Sequence, residues 1–557
     1  MTDESQQARD VRGECIEKQE YLENQTPASD REKIVGQTTD ESPRELKKEL
    51  LKGWRLYGST FSSTLCVFLA NLEVSIVSTS LVPITDDLKS FGRSSWIITS
   101  YLLTYTGFLI IWAKFSDTLG RRQCLCAALV IFTVASGACG GAQTTNQLIV
   151  FRAFQGIGGS GLLSVPFVIL AEIVEPQKYA LWSSFVALSF VLGFLFGPLF
   201  GGAIVGGTTW RWIFLINLPL GAFTFISLFL FMPTDFPYNR FVPRTIQFNK
   251  LGEIDYLGAF LVFATSAFLV SALEEAGTVY AWSSALIIVL LVLAGLCILA
   301  FLGWEYFVES KMRTRQAVFT WRLMKHRVFM GALLMSFLTG VPFTVAVIQI
   351  PQEWQTVVRT STLVAGLRLL PFTLFYSVGQ VIAMLLMSKL QVPPVFVFFL
   401  GAVSQTVGMA VQAFIPFHAG AGKYGCEILL GVGLGANMGG LVQFTPQLIR
   451  GKDQATAMGA ITQFRALGGV IGIAITTNVF NNYIRSRLSN QLTTDQLSHL
   501  LQSVTTAISS LPLDMQKVVE STFASAYDLQ TKVLIGFAVG QALAVSLMWE
   551  KKLRRLL

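Results

Sequence analysis

After a polar opening stretch, long apolar runs recur along the entire chain, each close to the ~20 residues a helix needs to cross a bilayer. Fourteen runs can be counted, at approximately 58–84, 95–115, 124–142, 147–172, 180–204, 211–232, 254–275, 282–307, 328–352, 362–388, 394–415, 425–448, 456–480 and 532–550. The pattern predicts an all-α polytopic membrane protein with fourteen transmembrane helices. The segment 483–530 is left as a long loop. Within it Leu497, Leu500, Leu501, Val504 and Ile508 follow helical spacing, so it is expected to lie against the membrane or over the mouth of the protein.

Composition agrees with this picture. Of 557 residues, 52% are hydrophobic and 14% charged, against roughly 25% charged in soluble domains. The first 55 positions hold 10 basic and 13 acidic residues without apolar periodicity, and read as a disordered cytosolic tail. A polar start of this kind is not expected to act as a cleavable signal peptide. The net charge of +8 comes from short clusters between runs: Lys114, Arg121 and Arg122; Arg240, Arg244 and Lys250; Lys311, Arg313, Arg315, Arg322, Lys325 and Arg327; Arg450 and Lys452; and Lys551, Lys552, Arg554 and Arg555. All fall on one side of a fourteen-span chain, which places both termini in the cytosol and argues against nucleic acid as the partner. The seven cysteines and three histidines show no metal-ligand or disulfide spacing. No G-x-x-x-x-G-K-[ST] loop and no G-x-S-x-G elbow is present, so neither ATP-driven transport nor a membrane enzyme is expected.

Four segments carry a more specific signal. Ala113 to Arg122 reads A-K-F-S-D-T-L-G-R-R, with Gly120 for a tight reversal and Asp117 placed to cap a helix or pair with Arg121 or Arg122. Leu148 to Gly158 contains Arg152 followed by Gln155-Gly156. Gly193, Gly197 and Gly201 recur every fourth residue in the fifth run, with Pro198 and Gly202 beside them. Small residues at this spacing let helix backbones approach, and Pro198 lets the helix bend. Trp210 to Gly221 reads W-R-W-I-F-L-I-N-L-P-L-G.

In order and placement these segments resemble the signature loop, the span 4 motif, the antiporter span 5 motif and the span 6 motif of the major facilitator superfamily, specifically its fourteen-spanning drug:proton antiporters. The departures are Ala113 and Phe115 in the loop, and Glu73 and Ser78 in a first span that resembles the subfamily's L-D-x-T-I-V-N-x-A-L-P pattern. The resemblance implies two six-helix bundles at 56–232 and 328–550 and two inserted helices in a linker at 233–327. The tails are 1–55 and 551–557, and 483–530 is extracytosolic. It further implies a monomer in the plasma membrane or, alternatively, the vacuolar membrane, with no cofactor and the proton gradient as energy source. Lys114, Asp117, Gly120, Arg121 and Arg122 would form a cytosolic gate loop.

Charges inside spans are costly and are functional by default. Glu73 and Arg152 are the strongest candidates, either as a proton-coupling pair or as a static ion pair between spans 1 and 4. Asn71, Gln155, Gln349, Arg368, Gln380, Gln463 and Arg465 are candidates to line a substrate cavity. Glu172, Glu274, Glu275, Glu305 and Glu353 fall near span ends, where solvation or pairing in loops is expected. The cargo implied by the resemblance is amphipathic and organic (drugs, toxins or secondary metabolites, as in fungal efflux pumps), with small cationic solutes or siderophore-type iron chelates as the alternative.

Overall fold

A computed structural model of the protein describes residues 53–174, 179–233, 255–277, 279–311, 321–415, 421–449 and 454–550. The expected tails up to residue 52 and at 551–557 lie outside these residues. So do Arg240, Arg244, Lys250, Arg313, Arg315, Arg450 and Lys452.

The helices in chain order are α1 (Trp54–Asp87), α2 (Ser94–Leu119), α3 (Arg121–Gly140), α4 (Thr145–Ile173), α5 (Tyr179–Gly207), the short α6 (Trp212–Leu215), α7 (Asn217–Phe231), α8 (Tyr256–Glu275), α9 (Ala285–Lys311), the short α10 (Trp321–Met324), α11 (Arg327–Thr356), α12 (Thr362–Ser388), α13 (Pro394–Phe414), α14 (Ala421–Leu448), α15 (Gln454–Leu488), α16 (Thr494–Gln502), α17 (Val504–Ser510) and α18 (Leu513–Leu547). All fourteen apolar runs fall on long helices, the sixth shared between α6 and α7. Among the described residues thirteen spans are long and apolar enough to cross a membrane by length and composition. The fourteenth long helix, the 26-residue α2, includes positions whose side chains lie outside the description. Side-chain caps mark several starts: Thr144, Asp255 and Ser361 accept from backbone N–H groups in the first turns of α4, α8 and α12.

The last span differs from expectation. α15 continues to Leu488 and α18 begins at Leu513, so the expected loop 483–530 shrinks to a link carrying α16 and α17. A hydropathy window misses the first turns of α18 because it averages opposite faces. Asp514, Lys517, Ser521 and Ser525 are exposed, while Val519, Phe523, Ala526 and Tyr527 are buried. The buried side belongs to an apolar cluster with Leu500, Val504, Ile508, Val82 and Phe91. The α16–α17 link is thereby seated on the end of α1, where Asp86 accepts from Ser503 Oγ at 2.9 Å and from the Thr505 hydroxyl.

The helices pack as two groups. In the first, α1 lies against α4, α5 and α7, α2 against α4, and α3 against α4 and α7. In the second, α11 lies against α15 and α18, α12 against α14, and α13 against α14 and α18. The groups meet through α5 on α12, α2 on α15 and α1 on α11. The inserted pair α8–α9 packs on itself, and α8 touches both α2 and α15. Polar contacts across the meeting surface include Gln355 Nε2 to the Thr79 carbonyl (2.8 Å), Thr362 Oγ1 to the Gly202 carbonyl (3.1 Å) and Gln463 Nε2 to the Thr106 carbonyl (3.4 Å). The first two lie toward the end of the molecule that holds Asp87, opposite the α2–α3 reversal at Gly120.

The fourfold glycine repeat has a specific task. Gly193, Gly197 and Gly201 present backbone to α1: a Cβ on Gly193 would sit 2.9 Å from the Asn71 Cβ, one on Gly201 would sit 2.6 Å from the Ile76 carbonyl, and one on Gly197 would overlap Ser75. Ser75 Oγ uses the closeness to donate to the Gly193 carbonyl at 2.8 Å. Gly202 faces the other way, toward the backbone of Thr362 and Leu363 on α12, where the Pro198 carbonyl also meets Gly366. Gly197→Leu is expected to destabilise the first group by about 1–3 kcal/mol or more, the usual cost of overpacking. The check is thermal unfolding in detergent, where an unchanged midpoint would contradict the α1–α5 contact.

Candidate functional site

At the middle of α1, Glu73 is fully buried. One carboxylate oxygen accepts from Arg152 Nη1 of α4, and Oε2 accepts from Asn217 Nδ2 of α7 at 2.6 Å. Arg152 is 1% exposed. It also donates from Nε to the Ile97 carbonyl of α2 (3.1 Å) and from Nη1 to Gln155 Oε1 (2.7 Å), and its guanidinium lies 4.3 Å over the Tyr101 ring. Gln155 Nε2 donates to Ser136 Oγ of α3 at 2.7 Å. The carboxylate and the guanidinium thus tie together α1, α2, α4 and α7, and Gln155 extends the network to α3. Such a pair is tolerated in a dry interior because opposite charge and hydrogen bonds replace the lost water. It also has two arrangements to offer: joined as seen, or parted once the carboxylate takes a proton and its charge disappears.

The other sequence candidates do not all converge on one place, although Gln380 and Arg465 both act on Tyr376. Asn71 donates to its own helix at the Val67 carbonyl (2.7 Å). Gln349 joins α11 to α18 through the Tyr527 carbonyl and Thr531 Oγ1, both at 3.1 Å. Gln380 sits where α12 meets Gly439 of α14. Gln463 reaches across to α2. Arg465 lies 5.9 Å from the Phe343 ring, with its Nε buried and without a hydrogen-bond partner, and Arg368 stacks 3.8 Å over Trp354. Phe343 is itself an anchor of the meeting surface, 5.3 Å from Phe194 of α5 and 4.7 Å from Tyr376 of α12.

At the α2–α3 reversal Gly120 has φ +101°, a conformation that favours glycine. Arg121 pairs bidentately with Glu172 of α4, at 3.0 and 2.6 Å, and donates to Ser116 Oγ at 2.6 Å. Arg122 donates to the Phe229 carbonyl at 3.3 Å and lies 4.8 Å over its ring. Lys114 lies in the last two turns of α2; the Asp117 side chain lies outside the described residues.

Sequence reasoning passed over several members of these networks. Asn217 is conspicuous inside the W-R-W-I-F-L-I-N segment, yet its link to Glu73 needs the fold. Glu274, Glu305 and Glu353, expected to be solvated or paired in loops, are not solvated: they are 6%, 0% and 4% exposed, and the partners of Glu274 and Glu353 lie on helices. Glu274 accepts from Ser95 Oγ (2.6 Å) and Thr99 Oγ1 (2.9 Å) of α2, which pins the inserted α8 to the first group.

Two groups of membrane-length helices meet face to face, and one of them holds a buried carboxylate–guanidinium network, which is the architecture of a polytopic membrane transporter. The chain belongs to the major facilitator superfamily, whose family model matches residues 63–473. It is 39% identical to an MFS-type transporter, FPY5, of Fusarium mangiferae, over 90% of this chain and 85% of that one. It is 30% identical to the efflux pump FUS6 of Gibberella fujikuroi, over 80% and 78%. A bacterial homologue of the human lysosomal transporter Spinster, at 14% identity, has the same fold with a TM-score of 0.60, over 90% of this chain and all of the other.

Proposed function

We propose that this protein is a proton-coupled antiporter that exports amphipathic organic compounds, such as toxins, drugs or secondary metabolites, by alternating access between its two helix groups. The observation that carries the reading is the Glu73–Arg152–Asn217 network. It is the kind of buried ionisable group that membrane proteins retain for function despite its cost, and its bonds reach five helices of one group. Protonating Glu73 removes the charge that holds Arg152 and so alters how those helices hold together. The similarity to an efflux pump of Gibberella supports the direction of transport.

The positive-inside pattern of the loops supports both termini facing the cytosol, with the Gly120 end inward and the Asp87 end outward. A monomer in the plasma membrane completes the proposal. The gate-loop residues Lys114, Asp117, Gly120, Arg121 and Arg122 would then hold the inner ends of α2, α3 and α4. Arg368, Gln463 and Arg465 are the candidates nearest the meeting surface of the two groups.

The test is accumulation. Cells expressing the protein are loaded with a panel of apolar and cationic fluorescent compounds, and internal and external amounts are followed with and without a protonophore. Export that stops with the protonophore is expected. Uptake or vacuolar accumulation of cationic solutes or iron chelates would favour the alternative cargo and overturn the export reading.

A further inference from the structure

The second helix group holds a buried charge cluster of its own, remote in sequence from Glu73. Near the end of α11, Glu353 Oε1 accepts from Lys423 Nζ of α14 at 2.5 Å, with both side chains at most 5% exposed. One helical turn further along α14, Glu427 is 1% exposed, and its Oε2 has no hydrogen-bond partner. The charges acting on Glu427 are those of Glu353 on α11, Lys423 on its own helix and Arg368 on α12. Arg368 Nη1 is likewise buried and without a hydrogen-bond partner. From α18, Asp528 acts on the Glu353–Lys423 pair, and Lys532 acts on Asp528.

The placement repeats that of the first group. α1 and α4 are the first and fourth long helices of their group and are joined by Glu73 and Arg152. α11 and α14 are the first and fourth of theirs and are joined by Glu353 and Lys423. The second pair lies closer to the Asp87 end: Glu353 is three residues from the end of α11, whereas Glu73 is fourteen from the end of α1. In the second group the pair leaves a spare carboxylate, Glu427.

A buried carboxylate oxygen without a donor needs a proton or a cation to satisfy it. A divalent metal ion would ask for six or more oxygen ligands and would face the charges of Lys423 and Arg368. An organic cation would meet the same two charges. A proton requires only one lone pair.

We propose that Glu427 is a second proton-binding site of this transporter, separate from Glu73 and loaded from the Asp87 end. A proton from water forms the O–H bond at Oε2 and returns to water when the site opens; no oxidant or co-reactant takes part. The inference rests on the proton-coupled reading above, and the two are tested by different readouts.

Protons taken up by the purified full-length protein after a small acid jump are counted with a pH-indicator dye, for the unmutated protein, Glu427→Gln and Glu73→Gln. Glu427→Gln is expected to lose one proton per molecule from the total, and Glu73→Gln to keep that proton. Equal uptake by Glu427→Gln and the unmutated protein would overturn the proposal. Should Glu427→Gln fail to fold, Glu427→Asp keeps a titratable group: the carboxylic-acid band in the infrared difference spectrum is expected to shift, and an unmoved band overturns the proposal. Ethidium flux driven by a pH gradient, measured in parallel, separates the two claims. Flux without the Glu427 proton leaves the coupling to Glu73, and the Glu427 proton without flux leaves a proton site in a protein that is not an antiporter.

Discussion

Glu73→Gln is expected to abolish transport driven by a pH gradient, at least a hundredfold relative to background leak, while the protein still folds and lets substrate equilibrate down its own gradient. Glutamine keeps the volume of the side chain and an oxygen for Arg152 Nη1 to donate to, so the walls of the network stay packed. It removes the only event the account assigns to this position, the gain and loss of a proton. Arg152 retains its bonds to the Ile97 carbonyl and Gln155, which limits the cost of losing its counter-charge. Glu73→Ala is a contrasting case. It removes the partner outright, leaves the guanidinium buried and unpaired, and is expected to cost about 3–5 kcal/mol. The two substitutions therefore separate coupling from folding: thermal unfolding should distinguish Ala from Gln, and flux in proteoliposomes should not. If Glu73→Gln still moves substrate uphill, Glu73 and Arg152 form a static tie between α1 and α4.

The second large effect is expected at the meeting of α5 and α12. A Cβ built on Gly206 lies 3.9 Å from the Thr362 hydroxyl oxygen, and Thr362 already bonds the Gly202 carbonyl. A cysteine sulfur at residue 362 would take the place of that hydroxyl, next to the Cβ of residue 206, so a disulfide between the two positions needs only a small adjustment of the helix ends. Gly206→Cys combined with Thr362→Cys is expected to lose transport on oxidation and to regain it on reduction, because alternating access requires the Asp87 end to part on every cycle. Each single cysteine should transport under both conditions. Full activity in a demonstrably cross-linked protein would show that this end does not need to open between α5 and α12.

The fold was legible to the extent that hydropathy reports it. Runs such as 282–307 and 394–415 are apolar over most of their length and emerge as α9 and α13 within a few residues. α18 was half hidden because its first turns carry polar residues on the exposed side. The sites divide in the same way. Glu73 stands out as the lone charge in the middle of its apolar run, and Arg152 as the one basic residue within its own. Glu353, Lys423 and Glu427 lie close to the ends of their runs, where sequence alone cannot distinguish a solvated charge from one that a neighbouring helix covers. Their burial comes from packing among α11, α12, α14 and α18, which is tertiary information. Glu172 illustrates the point at the Gly120 end: Asp117 lies nearer Arg121 in the chain, but the bidentate partner comes from another helix.

The most direct test of the central claim is flux into proteoliposomes containing only the purified protein, with the lumen made acidic and ethidium outside. Ethidium should accumulate in the lumen as protons leave, the accumulation should collapse with a protonophore, and none should form with Glu73→Gln. Accumulation that ignores the pH gradient, or that persists undiminished in Glu73→Gln, would contradict the claim.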